Sequence, residues 1–306
     1  MAADGSATTF VVPTSVEEAV AALSDPDAVA LAGGTSIGLL VGQGLLVPGT
    51  LVWLGRIPEL REIAVHDDRV VLGAGVTLSE LSAHPALRRD VPALAVAAGL
   101  VGNTRVRAVA TIGGALVHAD PRQDVPVALL ALDARVAVTG PDGTRSLAVD
   151  ELLTGFMSTA LAAGEVVTAV TIPLRPRTRS CYHRFTPGSV DDYPTVAVGA
   201  SVTLEGGSVT AARVAVGGAG STAYAVSEAA WLVGSAAGVR SPAVEAVAAA
   251  AARRADPVAD RLGSTSYKRE MVAVWVRRAL VELLDFIDSA DPADLVDRVD
   301  PAAPSG

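Results

Sequence analysis

Two glycine-rich loops decide the interpretation of this sequence: Leu31-Ala32-Gly33-Gly34-Thr35-Ser36 and Ala110-Thr111-Ile112-Gly113-Gly114. Each loop follows a short apolar stretch and joins two adjacent glycines to a small hydroxyl residue. Glycine lets the backbone approach a ligand closely and adopt a positive φ, and successive N–H groups in such a turn form a concave anion site. Two such loops predict a ligand with a pyrophosphate, which indicates a nucleotide cofactor.

The composition limits the partners of the chain. The 306 residues are 50% apolar and 4% aromatic, with a formal net charge of −9. An acidic chain repels nucleic acid and anionic membranes, and so few aromatic rings offer little surface for stacking bases. We therefore expect no nucleic-acid or membrane partner. Because Lys268 is the only lysine, we expect backbone N–H groups to hold most of an anionic cofactor.

Cysteine and histidine usage argues against several kinds of site. The single cysteine, Cys181, excludes an internal disulfide, a Cys-x-x-Cys redox pair and an iron–sulfur cluster held by this chain alone. The histidines share no metal-ligand spacing, so we predict no metal site; they are His66, His84, His118 and His183. The N-terminal residues lack a basic region followed by an apolar run, and we expect a cytoplasmic protein.

The local pattern predicts mixed α and β structure. Residues 28–55 carry no charge, but glycines and a proline interrupt them, which favours a buried strand, loop and helix over a membrane span. Ser15 is a predicted N-cap for a helix over residues 16–23. The Arg- and Pro-rich residues 174–179 indicate a domain boundary. Beyond them we predict a hairpin over 195–204 and 209–216. The predicted C-terminal helices cover residues 223–233, 243–254 and 266–287.

Three further features of the sequence each allow two interpretations. Gly218-x-Gly220-x-x-Ala223 matches a dinucleotide-binding pattern, but an Ala-rich helix follows it instead of a second strand that ends in an acidic residue, so a tight turn is favoured. Asp124 is suited to accept hydrogen bonds from ribose or ribityl hydroxyls and also to cap a helix before Pro126, and the two roles are compatible. His118 is either an acid–base residue or, since no partner is visible, a structural loop histidine.

Residues 32–36, 103–114 and 119–121 together resemble the FAD-binding medium subunit of the molybdenum hydroxylases, the carbon monoxide dehydrogenase-like and xanthine dehydrogenase-like enzymes. The resemblance covers nearly the whole chain. It implies an α+β fold with an FAD-binding domain of the vanillyl-alcohol-oxidase (PCMH) type over residues 1–175, in subdomains of about 1–55 and 56–175. A smaller C-terminal domain of sheet plus helices, resembling that of the carbon monoxide dehydrogenase flavoprotein, would cover 178–288. A loose tail would cover 289–306.

The resemblance also implies a non-covalent FAD site. The two glycine loops would hold the pyrophosphate, Asp124 would lie near the ribityl or flavin portion, Tyr193 near the isoalloxazine, and Val101 at an apolar flavin contact. Ala115 stands where the family often has asparagine, so one side-chain hydrogen bond to the cofactor would be absent. The expected cofactor-binding residues are Leu31, Ala32, Gly33, Gly34, Thr35, Ser36, Val101, Thr111, Ile112, Gly113, Gly114, Ala115, Asp124 and Tyr193.

The function implied by the resemblance is electron transfer within a multi-subunit enzyme. A large subunit would carry the molybdenum cofactor and a small subunit the iron–sulfur clusters, assembled as a dimer of heterotrimers. FAD would pass electrons from those clusters to NAD, a quinone or oxygen, and no catalytic side chain of this chain would be needed. The alternatives are a self-sufficient FAD-dependent oxidoreductase of the same superfold, and an assembly protein without cofactor, which the intact glycine loops disfavour.

Overall fold

The computed structural model describes residues 8–189, 192–236 and 241–285, so the predicted tail at 289–306 lies outside the described residues. The chain begins with a parallel three-stranded sheet in the order β1-β3-β2. Its elements are β1 (Thr9–Val11), α1 (Val16–Leu23), β2 (Ala28–Leu31), α2 (Ile37–Gly42) and β3 (Thr50–Trp53). The predicted cap is confirmed, because Ser15 Oγ accepts a hydrogen bond from the N–H of Glu18 at 3.2 Å.

The middle of the chain forms an antiparallel five-stranded sheet in the order β4-β5-β10-β6-β7, beside a two-stranded ribbon, β8 and β9. Leu72, Leu94 and Leu129 are fully buried in the core between this sheet and its helices. The elements are β4 (Ile63–Val65), β5 (Arg69–Gly73), α3 (Leu78–Ala83), α4 (Pro85–Asp90), α5 (Pro92–Leu100), α6 (Thr104–Arg107), α7 (Ile112–His118), α8 (Asp124–Ala131), β6 (Arg135–Gly140), β7 (Gly143–Ala148), α9 (Val149–Leu152), β8 (Leu153–Gly155), β9 (Ser158–Thr159) and β10 (Val166–Pro173).

The C-terminal part is an antiparallel four-stranded sheet, β11-β12-β13-β14, with two long helices. The predicted hairpin is confirmed as β12 and β13, which pair from Ala197 with Gly217 to Glu205 with Ser208. Two of the three predicted helices are confirmed, as α10 and α11. The elements are β11 (Thr178–Phe185), β12 (Val196–Glu205), β13 (Ser208–Gly217), β14 (Tyr224–Ala225), α10 (Pro242–Arg254) and α11 (Thr265–Asp285).

The helix predicted over residues 223–233 is wrong. Tyr224 pairs with Val216 as part of β14, and a 3₁₀ helix over Ser227–Leu232 follows. The Tyr224 hydroxyl donates a hydrogen bond to Ala251 O at 3.1 Å, so sheet pairing and this tertiary contact override the local helix propensity. The glycine pattern at 218–223 therefore precedes a strand rather than the helix that a dinucleotide-binding unit needs.

Strand β11 lies partly where the sequence predicts a domain boundary, and it packs on both faces. One face meets the middle of the chain, since Ser180 Oγ accepts a hydrogen bond from the N–H of Ala93 at 3.3 Å. The other face meets α11, where Cys181 Sγ donates to Ala279 O at 3.6 Å. Alternate side chains of a strand point to opposite faces, so β11 joins the C-terminal helices to the middle of the chain. None of the described helices combines the length and apolar character that a membrane crossing requires.

Candidate functional site

The first glycine loop connects β2 to α2 and packs directly against the residue that precedes the second loop. A Cβ placed on Gly33 would lie 1.8 Å from Val109 O, so a side chain at this position has no room. Gly34 has φ +72°, a left-handed conformation that favours glycine. These two glycines therefore bring the first loop against the chain just before the second.

The N–H groups of the first loop are available to a ligand. The described residues supply no hydrogen-bond acceptor for the backbone N–H groups of Gly33, Gly34, Thr35 and Ser36. These four residues are only partly exposed. Buried or half-buried N–H groups are nearly always paired in native proteins, so this row of donors requires water or an anionic ligand.

The second glycine loop differs in its hydrogen bonds. Ile112 and Gly113 donate their N–H groups to Val76 O and Ala74 O at 3.0 and 2.9 Å. Gly114 donates to Thr111 Oγ1, the cap of α7, at 3.1 Å, and Ala115 donates to Thr111 O. A Cβ on Gly113 would lie 2.7 Å from the Cβ of Ala74. This loop uses the N–H groups of Ile112 and Gly113, and the lack of a side chain on Gly113, to pack against the chain before α3; its predicted contact with the cofactor stays a prediction.

Asp124 is buried, and one of its carboxylate oxygens contacts both a tyrosine and an arginine. It is 4% exposed, the Tyr182 hydroxyl donates to its Oδ1 at 2.6 Å, and Arg184 Nη1 lies 3.5 Å from the same oxygen. Burial raises the pKa of Asp124, against the lowering effects of Arg184 and Tyr182. The predicted capping role is wrong, because Gln123 occupies the N-cap position of α8 and Asp124 is its first residue.

A second acidic residue holds an arginine against Tyr193. Asp120 is 7% exposed and accepts hydrogen bonds from Arg122 Nε and Nη2, both at 3.3 Å. The Arg122 guanidinium carbon lies 4.7 Å from the centre of the Tyr193 ring, a cation–π contact. The Tyr193 ring remains half exposed. Sequence reasoning missed Arg122, although its position two residues after Asp120 was a usable signal.

The other predicted residues lie around these groups. Val101 is partly buried and packs against the core, and its carbonyl accepts a hydrogen bond from Arg107 Nη1 at 3.1 Å. His118 ends α7, and burial lowers its pKa while Asp120 opposes that shift. Leu31 is the last residue of β2 and is partly exposed, like Ala32 beside it.

The residues present fit the FAD that the sequence led us to expect. The first loop offers four unpaired N–H donors in an acidic, lysine-poor chain, as a pyrophosphate requires. Gln123 follows Arg122 in the sequence and Thr195 stands two residues after Tyr193. Gln123 Oε1 and Thr195 Oγ1 are buried atoms without a hydrogen-bond partner among the described residues. Buried polar atoms of this kind call for a bound group or water.

Fold and site together define an FAD-binding oxidoreductase subunit. The family model described as the FAD binding domain in molybdopterin dehydrogenase matches residues 6–175, so the chain belongs to this family. A second model, the CO dehydrogenase flavoprotein C-terminal domain, matches residues 181–283. The resemblance seen in the glycine loops and their flanking residues is confirmed, and with it the mixed α and β fold and the FAD cofactor.

Individual relatives match along most of their length. The 6-hydroxypseudooxynicotine dehydrogenase complex subunit alpha of Paenarthrobacter nicotinovorans is 33% identical over 279 residues, covering 90% of this chain and 94% of that protein. The carbon monoxide dehydrogenase medium chain of Hydrogenophaga pseudoflava is 32% identical, covering 88% and 94%. A solved structure of carbon monoxide dehydrogenase from Hydrogenophaga pseudoflava matches with a TM-score of 0.85 at 33% identity, over 89% of this chain and 96% of that chain.

Proposed function

We propose that this chain holds FAD between the iron–sulfur clusters of a small partner subunit and a terminal electron acceptor, NAD, a quinone or oxygen. A large partner subunit with the molybdenum cofactor would oxidise the substrate, and the complex would be a cytoplasmic dimer of heterotrimers. The relatives support this proposal, since one is named as the medium chain of carbon monoxide dehydrogenase and another as one subunit of a dehydrogenase complex. The observation that carries it is the unpaired N–H row of residues 33–36.

The first glycine loop would bind the FAD pyrophosphate. Its N–H groups do not have to break a hydrogen bond within the protein before they donate, because none has an acceptor among the described residues. Gly33 packs closely against Val109 O, and this contact would hold the backbone that carries the N–H donors in place. In the second loop, Gly114 is exposed and Ala115 is partly exposed. This loop would therefore touch the cofactor by van der Waals contact at these two residues rather than by N–H donation.

The flavin end of the site would lie at Tyr193. When bound, FAD supplies the redox chemistry, and the protein positions it and excludes competing reactions. Asp120 would fix Arg122, and Arg122 would fix the Tyr193 ring, so that one aromatic face is held against the flavin. Asp124 is buried behind this group with Tyr182 and Arg184. It would connect the FAD domain, proposed to span residues 1–175, to the C-terminal domain over 178–288.

Flavin content tests the proposal. The purified full chain is expected to carry one FAD, or to take it up after removal, and to show visible flavin absorbance. That absorbance should bleach when the chemically reduced iron–sulfur subunit is added. A colourless chain that cannot be reconstituted would overturn the proposal. Substrate turnover by the isolated chain would favour instead a self-sufficient oxidoreductase of the same fold.

A further inference from the structure

The face of β11 that meets α11 carries a group of three possible metal ligands outside the FAD site. Cys181 and His183 are two residues apart on β11 and therefore point to the same face, and Glu282 faces them from α11. One ligand atom from each of the three lies within 4.8 Å of the others. Cysteine sulfur, histidine nitrogen and carboxylate oxygen are the three protein ligand types of zinc.

The contacts within this group are poor as hydrogen bonds. His183 Nε2 lies 2.7 Å from Glu282 Oε2, yet it is a buried nitrogen with no hydrogen-bond partner of acceptable geometry among the described residues. Cys181 Sγ makes a 3.6 Å contact with Ala279 O, a weak interaction for a thiol. A buried nitrogen without a properly directed partner is the feature that distinguishes this group from an ordinary His–Glu ion pair.

Charge and space suit a divalent ion. A thiolate and a carboxylate together neutralise Zn²⁺, and the neutral imidazole completes three protein ligands. Ligand atoms around tetrahedral zinc are roughly 3.5 Å apart. A pair of ligand atoms at the 4.8 Å limit would close by about 1 Å, whereas His183 Nε2 and Glu282 Oε2, which lie 2.7 Å apart, would open by about 1 Å. The side chains of His183 and Glu282 are 22% and 28% exposed, which leaves them room to adjust and allows water to take the fourth position.

We propose that Cys181, His183 and Glu282 bind one zinc ion, with water as the fourth ligand, and that this ion cross-links β11 to α11. Its role is structural. The opposite face of β11 carries Tyr182 and Arg184, which hold Asp124, so the cross-link would fix the strand that joins the two parts of the chain. The proposal does not depend on FAD, because the group lies on the other face of the strand.

Cobalt substitution tests this site in the full chain. Because Cys181 is the only cysteine, a sulfur-to-cobalt charge-transfer absorption can arise from no other residue. Chelator-treated protein, with its flavin bound, is titrated with Co²⁺ and compared with the same protein without cobalt. We expect the charge-transfer absorption to saturate at one Co²⁺ per chain, and Zn²⁺ to displace it with the same stoichiometry.

Variants test two of the three proposed ligands, Cys181 and Glu282. Cys181→Ser is expected to abolish the charge-transfer absorption, and Glu282→Gln to weaken cobalt binding about tenfold or more, since even outer-shell partners of a metal are worth that much. His66→Ala is the control, because His66 is exposed in the β4–β5 turn and should not change binding. Absence of the absorption in the wild-type chain, or unchanged affinity in Glu282→Gln, would overturn the proposal. The wild-type spectrum decides even if a variant fails to fold.

Discussion

The two glycine loops look alike in sequence and differ in the structure. Both join a glycine pair to a threonine, yet the N–H groups of residues 33–36 have no acceptor among the described residues, whereas those of residues 112–115 all have one. The N–H groups of the first loop are therefore free for the proposed ligand, whereas those of the second loop are used within the protein. Similar motifs are told apart by following where each backbone N–H group goes.

The largest expected effect comes from filling the space behind the first loop. In Gly33→Ala the new methyl group would collide with Val109 O, 1.8 Å away, so we expect a loss of about 3 kcal/mol in the free energy of unfolding together with loss of FAD. Urea denaturation and flavin content measure the two effects.

Gly38→Ala is the matched control, because nothing lies within 4 Å of a Cβ at that position of α2. This variant should keep wild-type stability and flavin content. Equal behaviour of the two variants would contradict the close packing of Gly33 on Val109.

In the second loop, we expect the two adjacent glycines to respond differently. Gly113→Ala places a methyl group 2.7 Å from the Cβ of Ala74 and should cost about 1–3 kcal/mol of stability. Gly114 is exposed, and a Cβ there would meet only the Thr111 hydroxyl, at 3.0 Å. Gly114→Ala should therefore change stability by less than about 0.5 kcal/mol and act mainly on FAD affinity. Thermal unfolding with and without FAD separates an effect on stability from an effect on FAD affinity. A destabilised Gly114→Ala beside a Gly113→Ala of normal stability would contradict the prediction that Gly113 is the packed glycine.

A pH effect is expected from Asp124, behind the flavin end of the site. Burial raises the pKa of its carboxyl group above the usual 3.8. A group with a raised pKa in the folded state contributes stability that is complete below its unfolded pKa and is lost as the pH rises through the folded pKa. Relative to Asp124→Asn, the wild-type protein should therefore lose stability as the pH rises from about 4 toward neutrality. Urea denaturation of both proteins across this pH range measures the two free energies of unfolding. The same pH dependence in the wild type and in Asp124→Asn would contradict the prediction.

A small effect on stability, and a specific one on the flavin, is expected from Arg122. Arg122→Gln removes the cation–π contact with Tyr193, worth about 0.5–1 kcal/mol at a half-exposed site, and the ion pair with Asp120, which keeps the backbone N–H of residue 122 as a donor. The freed tyrosine should change the fluorescence of the bound flavin. Arg105→Gln, on the exposed part of α6, is the control. A flavin spectrum unchanged in Arg122→Gln would remove Arg122 from the positioning role.

The sequence predicts the parts of the molecule that depend on local pattern. The capped helix α1, the hairpin of β12 and β13 and the long helices α10 and α11 follow from periodicity and turn residues. Strand β11 was not predicted, because its first residues belong to an Arg- and Pro-rich stretch that indicates a domain boundary. The strand is stabilised by pairing with β12 and by packing on both of its faces. The helix expected over 223–233 gave way to sheet pairing by Tyr224.

Features that depend on distant residues could not be predicted. The acceptors of the Ile112 and Gly113 N–H groups are carbonyls near residue 75, which no local motif reveals. The absence of metal-ligand spacing among the histidines led to a prediction of no metal site, which stays a prediction; the zinc site proposed above rests on the fold, which brings Glu282 of α11 to Cys181 and His183 of β11. Spacing detects ligands on one segment and misses those that the fold assembles from two.

Hydrogen–deuterium exchange of the backbone N–H groups, measured with and without FAD, tests the contrast between the loops most directly. We predict that residues 33–36 exchange fast in the FAD-free chain and become protected when FAD binds, whereas residues 112–115 are already protected without it. Protection that appears with FAD at residues 112–115, while residues 33–36 stay unchanged, would contradict the account.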